Sequence, residues 1–215
     1  MKIGVNCGHT VSGTTGSGAV GHLNESNETR NIGYKVIEML ESMGNSVINC
    51  TNDIASSVND NLKAIVNKAN AQELDLFISI HLNAGGGTGC ECYTYGGKQL
   101  DEAAKICSHL ESLGFKNRGV KDGSGLYVVK NTNAKAILVE VCFVDNKADA
   151  ELYKKLGASK IAESICTAIV GEVKPWYEDA KKWAVSAGIT DGTRPDDTAT
   201  RAEVWAMLKR LSERK

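Results

Sequence analysis

The sequence predicts an α/β fold with a mainly parallel sheet flanked by helices, followed by a small C-terminal two-helix unit. Strand and helix patterns alternate through the first 170 residues, as they do in α/β domains. The runs LFISI (76–80) and AILVEV (136–141) are almost entirely apolar, which suits central strands covered on both faces. Composition changes at Gly171–Pro175, because both prolines and the tryptophans lie beyond residue 174. We therefore expect one domain over residues 1–172 and a second unit over residues 173–215.

Apolar runs of strand length, bounded by polar or glycine residues, define the strands of the predicted sheet. The expected strands are Lys2–Cys7, Ser46–Cys50, Leu74–Ile80, Gly89–Tyr95 and Ala136–Phe143, with a sixth candidate at Leu126–Val129. The helical patterns between them are Glu25–Met43, a stripe from Val58 to Ala69, Leu100–Leu113 and Asp149–Val170. Glycine directly follows three of these helices, as is common where a helix ends.

The C-terminal unit is predicted to contain two helices. The first covers Trp176–Ala187 and ends in a turn through Gly188. The second follows Pro195 and begins at Thr200, where Glu203 completes a capping box three residues later. A unit this small buries little apolar surface by itself. We therefore expect it to pack on the main domain, on a copy of itself or on a partner.

Charge and hydropathy argue against two classes of function. A formal net charge of −1 lacks the basic surface on which electrostatic nucleic-acid binding depends. No run approaches the ~18–20 apolar residues of a membrane span, so membrane insertion is not expected either. The N-terminus MKIGVNCGHT lacks the longer apolar region of a secretory signal. We expect synthesis in the cytoplasm, with any work outside depending on another exit route.

The seven cysteines are interpreted as reduced structural thiols. Cys90 and Cys92 form a lone CxC pair, which is weak evidence for a metal site. A nucleophilic Cys–His site built on Cys7 or Cys142 is an alternative, but both lie in apolar runs and nothing indicates a lowered thiol pKa. The glycine-rich segment 12–21 lacks the Gly-Lys-Ser/Thr ending of a phosphate-binding loop, which argues against nucleotide binding.

Polar groups that follow apolar strands mark a candidate site at one edge of the sheet. His9 and His81 follow predicted strands, Glu140 lies toward the end of another, and the glycine-rich loop leads into Glu25. In an open α/β sheet the ligand crevice lies outside the carboxyl ends of the strands. Two histidines and a carboxylate around a metal, with another carboxylate left for proton transfer, are typical of a zinc hydrolase.

The roles of the carboxylates follow from their surroundings in the sequence. Glu140 lies in an apolar run, where an unpaired ionised glutamate would be costly, and Lys135 is the only cation near it in sequence. Glu140 is therefore the candidate general base. Glu25 by itself could be an ordinary first-turn acid that faces the helix dipole. Glu28 and His22 compete with it as ligands at the same junction.

Four segments of the chain closely resemble the zinc-dependent N-acetylmuramoyl-L-alanine amidases of the type 3 family, which includes bacterial autolysins and phage endolysins. The segments are GHT (8–10), GAVGHLNE (18–25), SIHLNA (79–84) and ILVEVCFVDNKAD (137–149). The resemblance covers roughly residues 1–170. Cys142 and Lys135 depart from it, since glycine and proline are common at those positions.

The resemblance implies a site and a reaction. His9, Glu25 and His81 would hold one Zn²⁺ per chain, and Glu140 would be the catalytic glutamate. The substrate would be bacterial peptidoglycan, cleaved at the amide between N-acetylmuramic acid and L-alanine of the stem peptide. Asn83, in the loop after the third strand, is a candidate for hydrogen bonding to that peptide. An endolysin-like protein would be stored in the cytoplasm and would act on the cell wall after release.

The C-terminal unit resembles a single S-layer homology repeat over residues 176–211. Such repeats bind cell-wall polymer, usually in threes, so one copy leaves wall binding and self-association both open. Two other functions also remain open for the whole chain. One is a non-catalytic wall-binding protein, and the other is a zinc peptidase or deacetylase that acts on a different amide.

Overall fold

The computed structural model describes residues 1–171, 178–193 and 198–213, and within them it contains six strands and seven α-helices. The strands are β1 (Lys2–Cys7), β2 (Ser46–Asn49), β3 (Leu76–Asn83), β4 (Cys90–Thr94), β5 (Asn117–Asp122) and β6 (Lys135–Phe143). The helices are α1 (Glu25–Ser42), α2 (Val58–Asn70), α3 (Asp101–Ser112), α4 (Tyr127–Asn131), α5 (Lys147–Val170), α6 (Glu178–Ser186) and α7 (Arg201–Ser212). The chain divides into two compact units, residues 1–171 and 172–215.

All six strands form one sheet in the order β2-β1-β3-β6-β4-β5. The first four strands of this order run parallel to one another. Strand β4 is antiparallel to β6 and parallel to β5, so the last two strands run the opposite way. The predicted α/β fold with a mainly parallel sheet is therefore confirmed.

The two faces of the sheet are covered differently, and the difference creates room for a site. On one face α1, α3 and α5 pack over a continuous apolar core that includes Ile78, Ile80 and Val139. On the other face α2 and α4 cover a smaller cluster that includes Phe77 and Leu138. Because side chains alternate along a strand, the next residues on this second face are Ser79 and His81 of β3 and Glu140 of β6. The apolar cover thus gives way to polar groups toward the carboxyl ends of β3 and β6.

One predicted strand is instead helical, and one strand of the sheet was not predicted. Leu126–Val129, the sixth strand candidate, instead leads into the short helix α4, whose Val128 and Val129 are buried in the smaller core. The sixth strand is β5, whose sequence NRGVKD has Val120 as its only apolar residue. Every residue of β5 is at least partly exposed, as suits an edge strand, so no apolar alternation marked it.

Helix ends agree closely with the signals read from the sequence. The Asn24 side chain caps α1. Asn146 caps α5, which begins at Lys147, two residues before the predicted start at Asp149. The predicted capping box between Thr200 and Glu203 is confirmed at the start of α7. Helix α6 falls within the predicted Trp176–Ala187, of which residues 176 and 177 lie outside the described residues.

Two further findings concern the described helices and the cysteines. No described helix combines the length and the apolarity that crossing a membrane requires. All seven cysteines are described, and all are free and buried. They are therefore packed in the interior, as interpreted from the sequence, and their reduced state stays a prediction.

Candidate metal centre

His9, Glu25 and His81 converge at the carboxyl end of the sheet. Glu25 Oε1 lies 3.0 Å from His9 Nε2 and 3.1 Å from His81 Nδ1. The two imidazole rings meet edge to face, with their centroids 4.9 Å apart. One ligand atom from each residue lies within 4.8 Å of the other two, an arrangement that can hold a metal ion.

Each of the three residues comes from a different part of the fold. His9 lies just beyond β1 with a left-handed φ of 64°, uncommon for a residue with a side chain. Glu25 is the first residue of α1. His81 lies within β3, two residues before its end, because the strand continues to Asn83 rather than ending at Ile80 as predicted. In the parallel pairing of β3 with β6, His81 lies opposite Glu140.

Two glycines make the close approach of these side chains possible. A Cβ on Gly8 would lie 2.4 Å from the His81 ring. A Cβ on Gly18 would lie 2.6 Å from Glu25 Oε2 and 2.8 Å from His9 Cδ2. Any larger residue at either position would displace a candidate ligand.

Hydrogen bonds hold both imidazoles in one orientation. His9 Nδ1 lies 3.2 Å from the Gly16 carbonyl oxygen, to which it can only donate, so that in the neutral ring the lone pair is on Nε2. His81 Nε2 lies 3.1 Å from Ser79 Oγ. When Nε2 donates to Ser79, the neutral ring has its lone pair on Nδ1, where it can bind a metal ion. In the metal-free protein Nδ1 can instead donate to Glu25 Oε1, 3.1 Å away. Asn6 Nδ2 in turn donates to Ser79 Oγ at 2.7 Å.

The Glu25 carboxylate is fixed by two backbone donors. Its Oε2 accepts from the Ala19 amide at 3.0 Å, and its Oε1 accepts from the Leu82 amide at 3.2 Å. The loop before α1 and the end of β3 therefore hold it from opposite sides. These two hydrogen bonds fix the orientation of the carboxylate, as hydrogen-bond partners do for the ligands of a metal ion.

The pKa values of the three groups reflect burial opposed by their mutual contacts. Burial raises the pKa of Glu25, but hydrogen bonds with His81 and His9 outweigh it and hold the pKa well below the usual range. Burial lowers the pKa of His81, and Glu25 offsets only part of this. Burial also acts to lower the pKa of His9, but the hydrogen bond and charge of Glu25 leave it raised. An ionised carboxylate beside a His81 ring that favours its neutral form is the protonation pattern a metal ligand needs.

Glu140 lies beside this group without an ion-pair partner among the described residues. Its Oε2 is buried and has no hydrogen-bond partner there. Burial, followed by the charges of Glu25 and Glu91, raises its pKa well above the usual value. Lys135, its nearest cation in sequence, instead lies 3.5 Å from Glu102. Glu140 is thus a carboxyl group poised to exchange a proton.

This environment predicts that Glu140 lowers the stability of the metal-free protein. A glutamate whose pKa is raised by folding weakens the folded state once the pH exceeds its unfolded value, because ionisation is then easier in the unfolded chain. We expect Glu140→Gln to raise the midpoint of thermal unfolding, measured at neutral pH in the presence of a chelator. The increase should be about 2–4 °C for each kcal/mol by which the substitution raises the free energy of unfolding. The gain should vanish below the ordinary pKa of 4.5. Glu38→Gln, at an exposed position on α1, is the control, and equal midpoints for Glu140→Gln and wild type at neutral pH would contradict the prediction.

The other residues singled out in the sequence lie outside the three-residue group. Glu28 accepts a hydrogen bond from the Tyr153 hydroxyl at 2.7 Å, and His22 is exposed. Asn83 donates to Glu91 Oε1 at 2.7 Å, and its own carbonyl oxygen accepts from the Ala84 amide at 2.8 Å. Both ends of the Asn83 amide are therefore engaged within the protein, and its contact with a substrate stays a prediction.

The cysteine alternative is disfavoured by the surroundings of both thiols. Burial raises the pKa of Cys7 and, more strongly, that of Cys142. A nucleophilic cysteine requires a lowered pKa, so that the thiolate forms near neutral pH. Neither residue belongs to the group around Glu25.

Sequence reasoning missed the hydrogen-bonding partners that surround the centre. Asn6 and Ser79 are almost completely buried polar residues inside apolar strands. Glu91 is a buried glutamate between two cysteines of β4. Each of these residues could have been noticed as a polar residue within an apolar strand. Only the folded structure shows which side chain it hydrogen-bonds to.

Comparison with known proteins covers the same part of the chain. The family model for N-acetylmuramoyl-L-alanine amidase (Amidase_3) matches residues 3–170. An uncharacterised protein of Clostridium perfringens is 36% identical over 177 residues, which cover 79% of this chain and 51% of that protein. An endolysin of Bacillus phage SPP1 is 34% identical over 161 residues, covering 70% of this chain and 58% of the endolysin.

A solved structure extends the similarity to the fold. The catalytic domain of the CD27L endolysin, which targets Clostridia difficile, matches with a TM-score of 0.75 and 30% identity. The match covers 81% of this chain and 99% of that domain. The chain spans about half the length of the curated relatives from Clostridium perfringens that it matches, 51% and 53%.

Proposed function

The chain belongs to the N-acetylmuramoyl-L-alanine amidase family, and from that premise we propose that it hydrolyses peptidoglycan at the bond between N-acetylmuramic acid and L-alanine. The observation that carries the proposal is the convergence of His9, Glu25 and His81, with Glu140 opposite His81 on the neighbouring strand. The family description and the endolysin among its relatives support the same reaction. The reaction would take place at the bacterial cell wall.

We infer that the metal is Zn²⁺, one ion per chain, held by His9 Nε2, Glu25 Oε1 and His81 Nδ1. The donor set fits, because two imidazole nitrogens and one carboxylate oxygen are a common ligand set of catalytic zinc, which keeps a further position open. Both histidine nitrogens lie close to Glu25 Oε1, which supports the binding of one ion by all three atoms. When bound, zinc supplies a Lewis acid that polarises the amide carbonyl and lowers the pKa of a water molecule from ~16 toward ~7.

Glu140 performs the proton transfers in this proposal. It takes a proton from the attacking water as the oxygen adds to the amide carbonyl carbon. It then delivers that proton to the nitrogen of L-alanine as the carbon–nitrogen bond breaks. Its raised pKa suits the first step, since it makes the ionised side chain a stronger base toward the water proton.

Ser79 and Asn6 keep the His81 ring turned toward the centre. If Ser79 orients this ligand, Ser79→Ala should weaken zinc affinity by about 10- to 100-fold, the usual effect of removing an outer hydrogen-bond partner. Competition with a fluorescent zinc chelator measures this directly. Ser164→Ala, at a buried serine on α5, is the matched control. Wild-type zinc affinity in Ser79→Ala would show that the hydrogen bond does not position the ligand.

Product analysis tests the reaction. Purified peptidoglycan is incubated with the zinc-loaded protein, and new amino termini are identified by mass spectrometry. The proposal predicts free L-alanine termini together with intact glycan strands. Termini of another residue would indicate a peptidase, and freed acetate would indicate a deacetylase. No release at all would favour a non-catalytic wall-binding protein.

We propose that residues 173–215 bind cell-wall polymer, as S-layer-homology-like units do. In the described part of this unit, Trp183, Trp205 and Leu208 are 54%, 66% and 57% exposed, which leaves apolar surface for a partner. Removing residues 173–215 should weaken sedimentation with purified walls by at least about tenfold while hydrolysis of soluble muropeptides continues. Undiminished wall binding by residues 1–172 would contradict this, and a lower mass in light scattering would point to self-association instead.

A further inference from the structure

Glu91 organises a second charged cluster on the same face of the sheet. Its Oε1 accepts from Asn83 Nδ2 at 2.7 Å and from the Tyr93 hydroxyl at 2.8 Å. Its Oε2 accepts from Arg118 Nε at 2.6 Å and from Lys121 Nζ. Glu91 is 1% exposed, and both of its carboxylate oxygens accept hydrogen bonds. Within this cluster two cations therefore share one buried anion, and the charge of Asp149 also acts on Arg118.

The backbone of β5 is shaped to direct both cations to this carboxylate. Residues three apart on a regular strand point to opposite faces, so Arg118 and Lys121 would normally diverge. The pairing of β4 with β5 shifts between Cys90 and Cys92, because two steps on β4 correspond to three on β5. Gly119 lies in this irregularity with a φ of 78°. Such a bulge re-aims a side chain, and here it brings both cations to one face.

The cluster adjoins the proposed catalytic group. Across three neighbouring strands, His81 of β3 pairs with Glu140 of β6, and Glu140 pairs with Glu91 of β4. Directly paired residues share a face of the sheet, so the metal centre, the proposed base and the cations form one row. Neighbouring strands are about 4.8 Å apart, which places the cationic groups over Glu91 about one strand spacing from Glu140.

Arg118 and Lys121 keep donors available to a ligand. Their side chains are 29% and 35% exposed, although both contact the buried Glu91. Arg118 Nη1 reaches the Thr88 carbonyl only at 3.5 Å, and Nη2 has no hydrogen bond to any described residue. The guanidinium also lies over the Phe143 ring, 5.1 Å from its centroid, which holds its plane at the carboxyl end of β6.

We propose that Arg118 and Lys121 form a subsite for a free carboxylate on the second residue of the stem peptide. This inference rests on the proposed amidase function. The second residue of peptidoglycan stems is a γ-linked D-glutamate, whose α-carboxyl group is free in some walls and amidated in others. An extended chain advances about 3.3–3.6 Å per residue. With the scissile amide at Glu140, that carboxyl group comes within reach of cations one strand spacing away.

The chemistry of the cluster favours a carboxylate over other groups. A guanidinium presents paired N–H donors that match a carboxylate, and Lys121 adds a point charge beside it. Glu91 holds both side chains in place before the ligand arrives. An amidated second residue offers one neutral oxygen and brings its own N–H donors toward two cations. The subsite would therefore distinguish the two wall chemistries.

Binding of product peptides to the zinc-loaded full chain tests the subsite without turnover. The probes are L-Ala-γ-D-Glu-L-Lys and L-Ala-γ-D-isoglutaminyl-L-Lys, both with an amidated C-terminus, so that they differ in one carboxylate. Loss of one hydrogen bond to a charged group lowers binding affinity by about 10- to 100-fold. Calorimetry should therefore show at least about tenfold tighter binding of the carboxylate peptide. Equal affinities would overturn the proposal.

Variants then assign the preference to the two cations. Arg118→Gln and Lys121→Gln should each bring the ratio of the two affinities toward one. Lys105→Gln, at an exposed position on α3, removes the same charge elsewhere and should keep the wild-type ratio. A merely structural role would weaken both peptides equally and leave the ratio unchanged, which would overturn the assignment. The comparison in wild type stands even if Arg118→Gln fails to fold.

The peptide-binding experiment and the test of the amidase reaction can refute their two proposals independently. Wild type that releases L-alanine termini from walls but binds both peptides equally would keep the reaction and remove the subsite. Wild type that releases none, yet prefers the carboxylate peptide, would keep the cationic subsite and remove the proposed reaction.

Discussion

Glu140→Gln is expected to retain its zinc and to lose between about two and four orders of magnitude in turnover, the usual contribution of general acid–base catalysis. The amide keeps the size of the side chain but cannot take a proton from water. None of the three proposed ligands depends on Glu140 for a hydrogen bond in the structure. Elemental analysis and release of L-alanine termini from purified walls measure the two effects on the same sample.

The same substitution is expected to stabilise the metal-free protein, and the combination is diagnostic. A variant that is more stable, fully metal-loaded and inactive places the proton transfer at Glu140. Zinc-loaded Glu140→Gln with wild-type turnover would transfer that role to another group. A loss of zinc would show instead that Glu140 belongs to the ligand set.

His81→Ala is expected to abolish both zinc binding and hydrolysis. The substitution removes one of three proposed protein ligands, so the loss of affinity should exceed the about 10- to 100-fold effect of an outer partner. It also removes the group that lies against Gly8 and leaves space within the centre. Zinc content after gel filtration in the presence of a weak chelator gives the measurement.

His109→Ala is the matched control, because His109 lies in the last turn of α3, on the opposite face of the sheet. This variant should keep wild-type zinc content and activity. Full zinc occupancy in His81→Ala would contradict the proposed ligand set. Equal losses in both variants would indicate a general effect on folding.

Much of the fold follows from local patterns in the sequence. The apolar runs of β3 and β6 identify central strands because both of their faces are covered. Asn24 precedes the acidic first turn of α1, and Thr200 with Glu203 forms a capping box, so these helix starts depend on neighbouring residues alone. Such features need no knowledge of the tertiary structure.

The elements that were missed depend on contacts between distant residues. β5 is an edge strand held by β4, and its two cations contact Glu91, so its sequence carries no strand-like alternation. Val128 and Val129 are strand-forming residues, yet they lie in a helix because α2 and β6 bury them there. Tertiary packing overrides local propensity in both cases.

The sequence predicted which residues form the candidate site better than it predicted how they are arranged. The sequence indicates His9, His81 and Glu140 because each interrupts or follows an apolar run. It cannot show that a bulge lets Arg118 join Lys121, or that Ser79 lies behind His81, since both relations arise from strand register. The role of Glu25 likewise depended on resemblance, whereas its position between two imidazoles is a property of the folded chain.

Anomalous scattering at the zinc edge from crystals of the zinc-loaded protein locates the metal. We expect one strong peak per chain, within bonding distance of His9 Nε2, Glu25 Oε1 and His81 Nδ1, at about 2.0–2.2 Å from each. An active protein whose only peak lies elsewhere, or whose crystals show no peak at all, would contradict the proposed metal centre.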